Sequence, residues 1–123
     1  MSKAIIELST LDDVFERTMA AAKRIDVGVN LPETDYYLSF PDAAKLFAEL
    51  TGERFRLLDE LKSSGAQSIY ALAKRLGRNY SNVHRDVQAL LAYDLISKDA
   101  DKHIYVPWDA IEVRVTLGVK QAA

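Results

Sequence analysis

Residues 68–106 constrain this chain more than any other segment. Ser68 stands where a helix N-cap is wanted, and Ile69, Leu72, Ala73 and Leu76 repeat behind it at helical spacing. Gly77 follows at once and closes that helix. After a few polar residues a second helix opens near Asn79 or Tyr80 and runs to about Tyr93, with Val83, Val87, Leu90 and Leu91 inward. Then Ile96-Ser97-Lys98, Asp99-Ala100-Asp101-Lys102 and His103-Ile104-Tyr105-Val106 read as strand, turn, strand, and Pro107 ends the hairpin. Two helices joined by a short turn with a Gly make a helix-turn-helix, and a hairpin directly behind them makes a wing. In that arrangement the first helix braces the second, so that one face of the second is free to enter a DNA major groove.

The outer face of the second helix carries the chemistry. With the apolar stripe set inward and about 100° turned per residue, Ser81, Asn82, Arg85 and Gln88 point outward, followed by Ala89 and Ala92. Arg pairs with guanine, Asn and Gln with adenine, and Ser with several acceptors, so these four are the candidate base readers. No acid interrupts the face. Asp86 and His84 fall at its margin, where a nearby Arg is available to Asp86.

Lys74, Arg75, Arg78, Asn79 and His84 are the candidate phosphate contacts, which set position rather than sequence preference. Tyr80 either contacts the DNA backbone at the helix N-terminus or packs inward, and packing inward is the expectation. Lys98, Lys102 and His103 flank the wing tip as minor contributors, since Asp99 and Asp101 lie among them.

Charge is spread unevenly. The chain of 123 residues has a formal charge of −2, which on average argues mildly against a nucleic-acid partner. Yet residues 68–90 carry Lys74, Arg75, Arg78 and Arg85 against Asp86 alone, a formal +3. Residues 1–67 carry 8 basic and 12 acidic groups, a formal −4. Attraction to phosphate follows the local cations, so the average is not the relevant quantity.

The rest of the chain reads as support. Residues 3–8 alternate weakly and suit a short strand. Ser9 or Thr10 caps a helix with an apolar stripe at Leu11, Val14, Phe15, Thr18, Met19 and Ala22, ending near Gly28. Tyr36-Tyr37-Leu38 suits an extended stretch. A short helix over about 41–50 is expected to bury Ala44, Leu46 or Phe47, and Leu50. A longer one capped by Thr51 should turn Phe55, Leu58 and Leu61 inward. Ile111, Val113, Val115 and Leu117 alternate with Glu112, Arg114 and Thr116, as in a half-buried strand. The expected fold is α+β and mainly helical. It comprises a strand-helix arm over residues 1–35 and a winged helix-turn-helix domain over 36–123.

The arm exceeds a minimal winged helix and needs a cover: its own subunit, a second copy, or another protein. A homodimer joined through Leu11, Phe15 and Met19, with the C-terminal strand contributing, would present two recognition helices to a palindromic site about one helical turn apart.

Leu72-Ala73-Lys74-Arg75-Leu76-Gly77-Arg78, Val83-His84-Arg85-Asp86-Val87 and the run Leu90 to Ile96 resemble the helix-turn-helix of MarR-like winged-helix transcriptional regulators. Leu38-Ser39-Phe40 and Val106-Pro107-Trp108-Asp109-Ala110-Ile111 bring the chain closest to a prokaryotic, antitoxin-type DNA-binding subgroup, and the resemblance covers most of its length. It implies a sequence-specific regulator that binds double-stranded DNA and represses its own operon. It further implies an antitoxin whose acidic arm receives a cognate toxin protein. The alternative is a winged-helix protein-interaction module without DNA binding.

Other classes find little support. No Gly-rich phosphate loop is present, and Ser63-Ser64-Gly65 reads as a helix stop. His84 and His103 lie on different elements and lack a ligand pattern, and there is no Cys, so neither a metal nor an organic cofactor is expected. The chain is not expected to be an enzyme. Its apolar runs are far shorter than the roughly 20 residues of a membrane helix, and with no Cys and no leader pattern a cytoplasmic location is expected.

Overall fold

The computed structural model describes residues 2–8 and 34–118. The expected N-terminal helix, with Leu11, Phe15 and Met19, lies outside the described residues. Among those described the protein is mixed α/β, with four helices and five strands. In chain order these are β1 (Ala4–Leu8), β2 (Tyr36–Phe40), α1 (Ala43–Glu49), α2 (Gly52–Ser64), α3 (Ile69–Leu76), α4 (Tyr80–Ala92), β3 (Ser97–Lys98), β4 (Ile104–Tyr105) and β5 (Ile111–Arg114). The chain divides into two compact units, one of Met1–Glu49 with Asp109–Ala123, the other of Leu50–Trp108. No helix among the described residues is long and apolar enough to cross a membrane.

In the first unit β1 is the central strand of a three-stranded sheet, parallel to β2 on one side and β5 on the other. Ile6 stands opposite Leu38 and Val113. This explains the weak alternation of β1. A central parallel strand is buried on both faces, and Ala4, Ile5 and Ile6 all are. The strand of the expected arm is therefore covered by β2 and β5 of its own chain. Lys3 donates from Nζ to Glu112 Oε1 at 3.0 Å. That hydrogen bond, with help from Arg114, holds the Glu112 carboxyl below the usual carboxylate range. On α1, Leu46 is buried, but Ala44 is exposed and Phe47 is 51% exposed; Leu50, just past the helix, is buried as expected. A helix of two turns offers one inward position here.

The second unit is built from local signals. Thr51, Ser68 and Asn79 cap α2, α3 and α4 by accepting from the amides of Arg54, Ala71 and Ser81. Gly77 has φ 62° in the left-handed region, and the amides of Gly77 and Arg78 close α3 onto Lys74 and Ala73 oxygens. Leu57, Leu58 and Leu61 of α2, Leu72 and Ala73 of α3, and Val83, Val87 and Leu90 of α4 are buried with Leu95, Ile96, Ile104 and Val106. Leu57 lies inward beside the expected Leu58 and Leu61, whereas Phe55 is only half-buried.

Strands β3 and β4 pair antiparallel, Ser97 opposite Tyr105 and Lys98 opposite Ile104. Gln67, just before α3, adds a bridge to Ile104 through hydrogen bonds of 3.1 and 2.8 Å. The hairpin is thus tied to the segment that leads into α3. Trp108 donates from Nε1 to the Asp94 carbonyl at 2.9 Å, which pins the chain behind the hairpin to the end of α4.

Candidate nucleic-acid interface

The face of α4 that carries Ser81, Asn82, Arg85 and Gln88 is exposed at all four positions. Arg85 has no carboxylate partner among the described residues. Its neighbour Asp86 lies on the other side of the helix and is only 8% exposed. Position 86 falls three residues after Val83 and four before Leu90, inside the apolar stripe.

A charge in that position needs partners, and it has two. Arg54 Nε of α2 donates to Asp86 Oδ1 at 3.0 Å. Arg78 Nη1, from the turn between α3 and α4, approaches Asp86 Oδ2 at 2.9 Å. The geometry of the second contact is skewed from a hydrogen bond, so these two buried atoms are held by charge attraction. Arg78 Nε also lies 3.3 Å from Glu53 Oε2. Arg54, Arg78, Asp86 and Glu53 therefore join α2, the turn and α4 in one charged cluster, with Arg56 on the outer side of Glu53 at 3.4 Å.

This cluster redistributes the candidate phosphate contacts. Arg78 is occupied by Asp86 and Glu53, and Arg75 lies 3.8 Å from Glu60 on α2. Asn79 uses its side-chain oxygen to cap α4, accepting from the Ser81 amide at 2.8 Å. Lys74 has no carboxylate partner among the described residues and sits 5.1 Å from the centroid of the Tyr70 ring. His84 is exposed and lies against Tyr80, ring centroids 5.9 Å apart. Tyr80 is 48% exposed rather than packed inward, because as the first residue of α4 it precedes the inner stripe.

At the hairpin tip Lys98, Lys102 and His103 are all exposed. Asp99 does not oppose them as an open charge. Its Oδ1 accepts from the amides of Asp101 and His103, both at 2.9 Å, and so orders the turn. Lys102 adopts φ 64° within that turn.

Sequence reasoning missed the roles of Glu53, Arg54 and Tyr70. The signal for Arg54 was an acid inside an apolar stripe, which demands a buried cation from a neighbouring element. Tyr70 gave a weaker signal, since a Tyr with a Lys four residues on is compatible with either face.

The fold and this surface define a mixed α/β protein whose helix pair presents an acid-free, cationic face ahead of a short hairpin. The HVO_A0114 family model matches residues 49–113, more than half of the chain, and the protein belongs to the HVO_A0114 family. The matched stretch runs from the end of α1 into β5 and includes the whole charged cluster. No curated protein and no solved structure matches the chain.

Proposed function

We propose that the protein is a sequence-specific DNA-binding transcriptional regulator whose second unit is a winged helix-turn-helix, with α4 as the recognition helix and β3–β4 as the wing. The observation that carries this reading is the disposal of charge on α4. The helix has one acid, and that acid is buried and neutralised by two arginines, while the adjacent Arg85 stands exposed among Ser81, Asn82 and Gln88 with no carboxylate partner among the described residues. The outer face of α4 thus offers hydrogen-bonding side chains and one cation to a polyanion, with no exposed acid of the helix to repel it. The Gln67–Ile104 bridge and the order helix, turn, helix, hairpin support the winged reading.

The resemblance to MarR-like regulators supports repression of the protein's own operon in the cytoplasm. Resemblance alone supports the antitoxin role and a toxin partner. A homodimer would supply two α4 helices to a palindromic site. Strand β1 is already paired on both sides, so the dimer would form through the Leu11, Phe15 and Met19 stripe or the outer edge of β5.

The test is fluorescence anisotropy with a labelled duplex from upstream of the protein's own reading frame and a scrambled duplex, over a series of salt concentrations. The expected result is preference for the upstream duplex by about a thousandfold or more, with affinity falling steeply as salt rises. Equal affinity for both duplexes, or affinity independent of salt, contradicts the proposal.

A further inference from the structure

Two tyrosines on the helix pair are exposed where a purely structural role would bury them. Tyr70 of α3 is 61% exposed and Tyr80 of α4 is 48% exposed. Each meets a nitrogen-bearing side chain one helical turn on. Lys74 Nζ is 5.1 Å from the Tyr70 ring centroid, and the His84 ring is 5.9 Å from that of Tyr80 at an interplanar angle of 33°. Neither tyrosine hydroxyl has a hydrogen-bond partner among the described residues. A Lys held over an aromatic face has already lost part of its rotamer freedom, so fixing it on a ligand costs less entropy. A hydroxyl beside an ammonium or an imidazole N–H presents two donors on a helix pair that has no exposed acid of its own, since α3 has none and the single acid of α4 is buried; the nearby Glu53 and Glu60 of α2 are matched by Arg78 and Arg75.

We infer that the Tyr70–Lys74 and Tyr80–His84 pairs grip the sugar–phosphate backbone of double-stranded DNA on either side of the α4 base readers. The inference rests on the proposed function and deepens it. It assigns the backbone-holding role to residues that are free to take it. Arg78, the obvious cation of the turn, is committed to Asp86 and Glu53, and Arg75 is shared with Glu60. A polyanion rather than a protein surface fits these pairs. Their aromatic area is interleaved with Lys74, Arg75, His84 and Arg85 instead of forming a continuous apolar patch.

The full chain with Tyr70→Phe, Tyr80→Phe, both together, and Lys74→Gln is titrated against the same two duplexes over the same salt series. All four variants should keep the thermal midpoint of the parent, because the altered groups are exposed. Each hydroxyl removed should weaken both duplexes alike by about two- to tenfold. Lys74→Gln should lower the slope of log affinity against log salt by about one.

If the parent binds DNA and the variants bind both duplexes with unchanged affinity and slope, the inference is overturned and the proposed function stands. Losses confined to the upstream duplex also overturn it, since they would make these residues base readers. If the parent itself shows no salt-dependent DNA binding, the proposed function falls and the inference with it.

Discussion

Asp86→Ala should destabilise the protein by about 3 kcal/mol or more, read as a lower urea midpoint at unchanged slope. The mechanism is the stranding of charge rather than the loss of one attractive pair. Asp86, Arg54 and Arg78 have side chains only 12–20% exposed, so solvent screens them weakly. Removing the carboxylate leaves two guanidinium groups facing a cavity lined by α2 and α4. Arg78 retains Glu53 at 3.3 Å, which limits its share of the cost. Domains of this size are stable by only about 5–15 kcal/mol, so the loss is a large fraction of the total.

The exposed pair between Arg56 and Glu53 provides the contrast. Its disruption by Arg56→Ala should cost under about 1 kcal/mol. Arg54→Ala combined with Asp86→Ala should cost clearly less than the two single changes added together, as expected of groups that interact directly. An Asp86→Ala cost below about 1 kcal/mol would mean that water screens the cluster and that it does not fix the pose of α4.

Arg85→Ala should do the reverse. Arg85 is exposed and touches no carboxylate among the described residues, so its removal should move the unfolding midpoint by no more than about 0.5 kcal/mol. Its effect should fall on discrimination. A bidentate Arg–guanine pair is worth about 1–3 kcal/mol against the wrong base, so preference for the upstream duplex should shrink by that amount. Binding to the scrambled duplex should weaken only by the loss of one cation. Equal weakening of the two duplexes would make Arg85 a phosphate contact. Neighbouring residues, one turned inward and one outward, are thus expected to separate stability from specificity.

The contrast between positions 85 and 86 also shows what was legible in the sequence. Helix caps, the Gly77 stop, the α3 and α4 stripes and the hairpin are local patterns, each carried by residues a few positions apart, and these match the structure closely. The outward face of α4 follows from the same periodicity. Sheet order is different in kind. Pairing β1 with β2 and β5 joins residues 4–8 to 36–40 and 111–114, and no spacing rule encodes that choice. The Arg54–Asp86 contact spans 32 residues and is likewise non-local. Its cue was legible, because an acid at a stripe position requires a partner, but the identity of that partner depends on how α2 packs. Arg78 illustrates the limit well. By type and position it suits phosphate, and only its neighbours in space reveal that its charge is already spent.

The most direct test of DNA recognition by α4 is the pattern of backbone amide shifts when the upstream duplex is added to the isotopically labelled protein. The largest changes should fall on Ser81, Asn82, Arg85 and Gln88, with smaller ones at Tyr70, Lys74 and the Lys98–His103 turn. Saturable changes confined to β2 and β5, with α4 unmoved, would contradict the account.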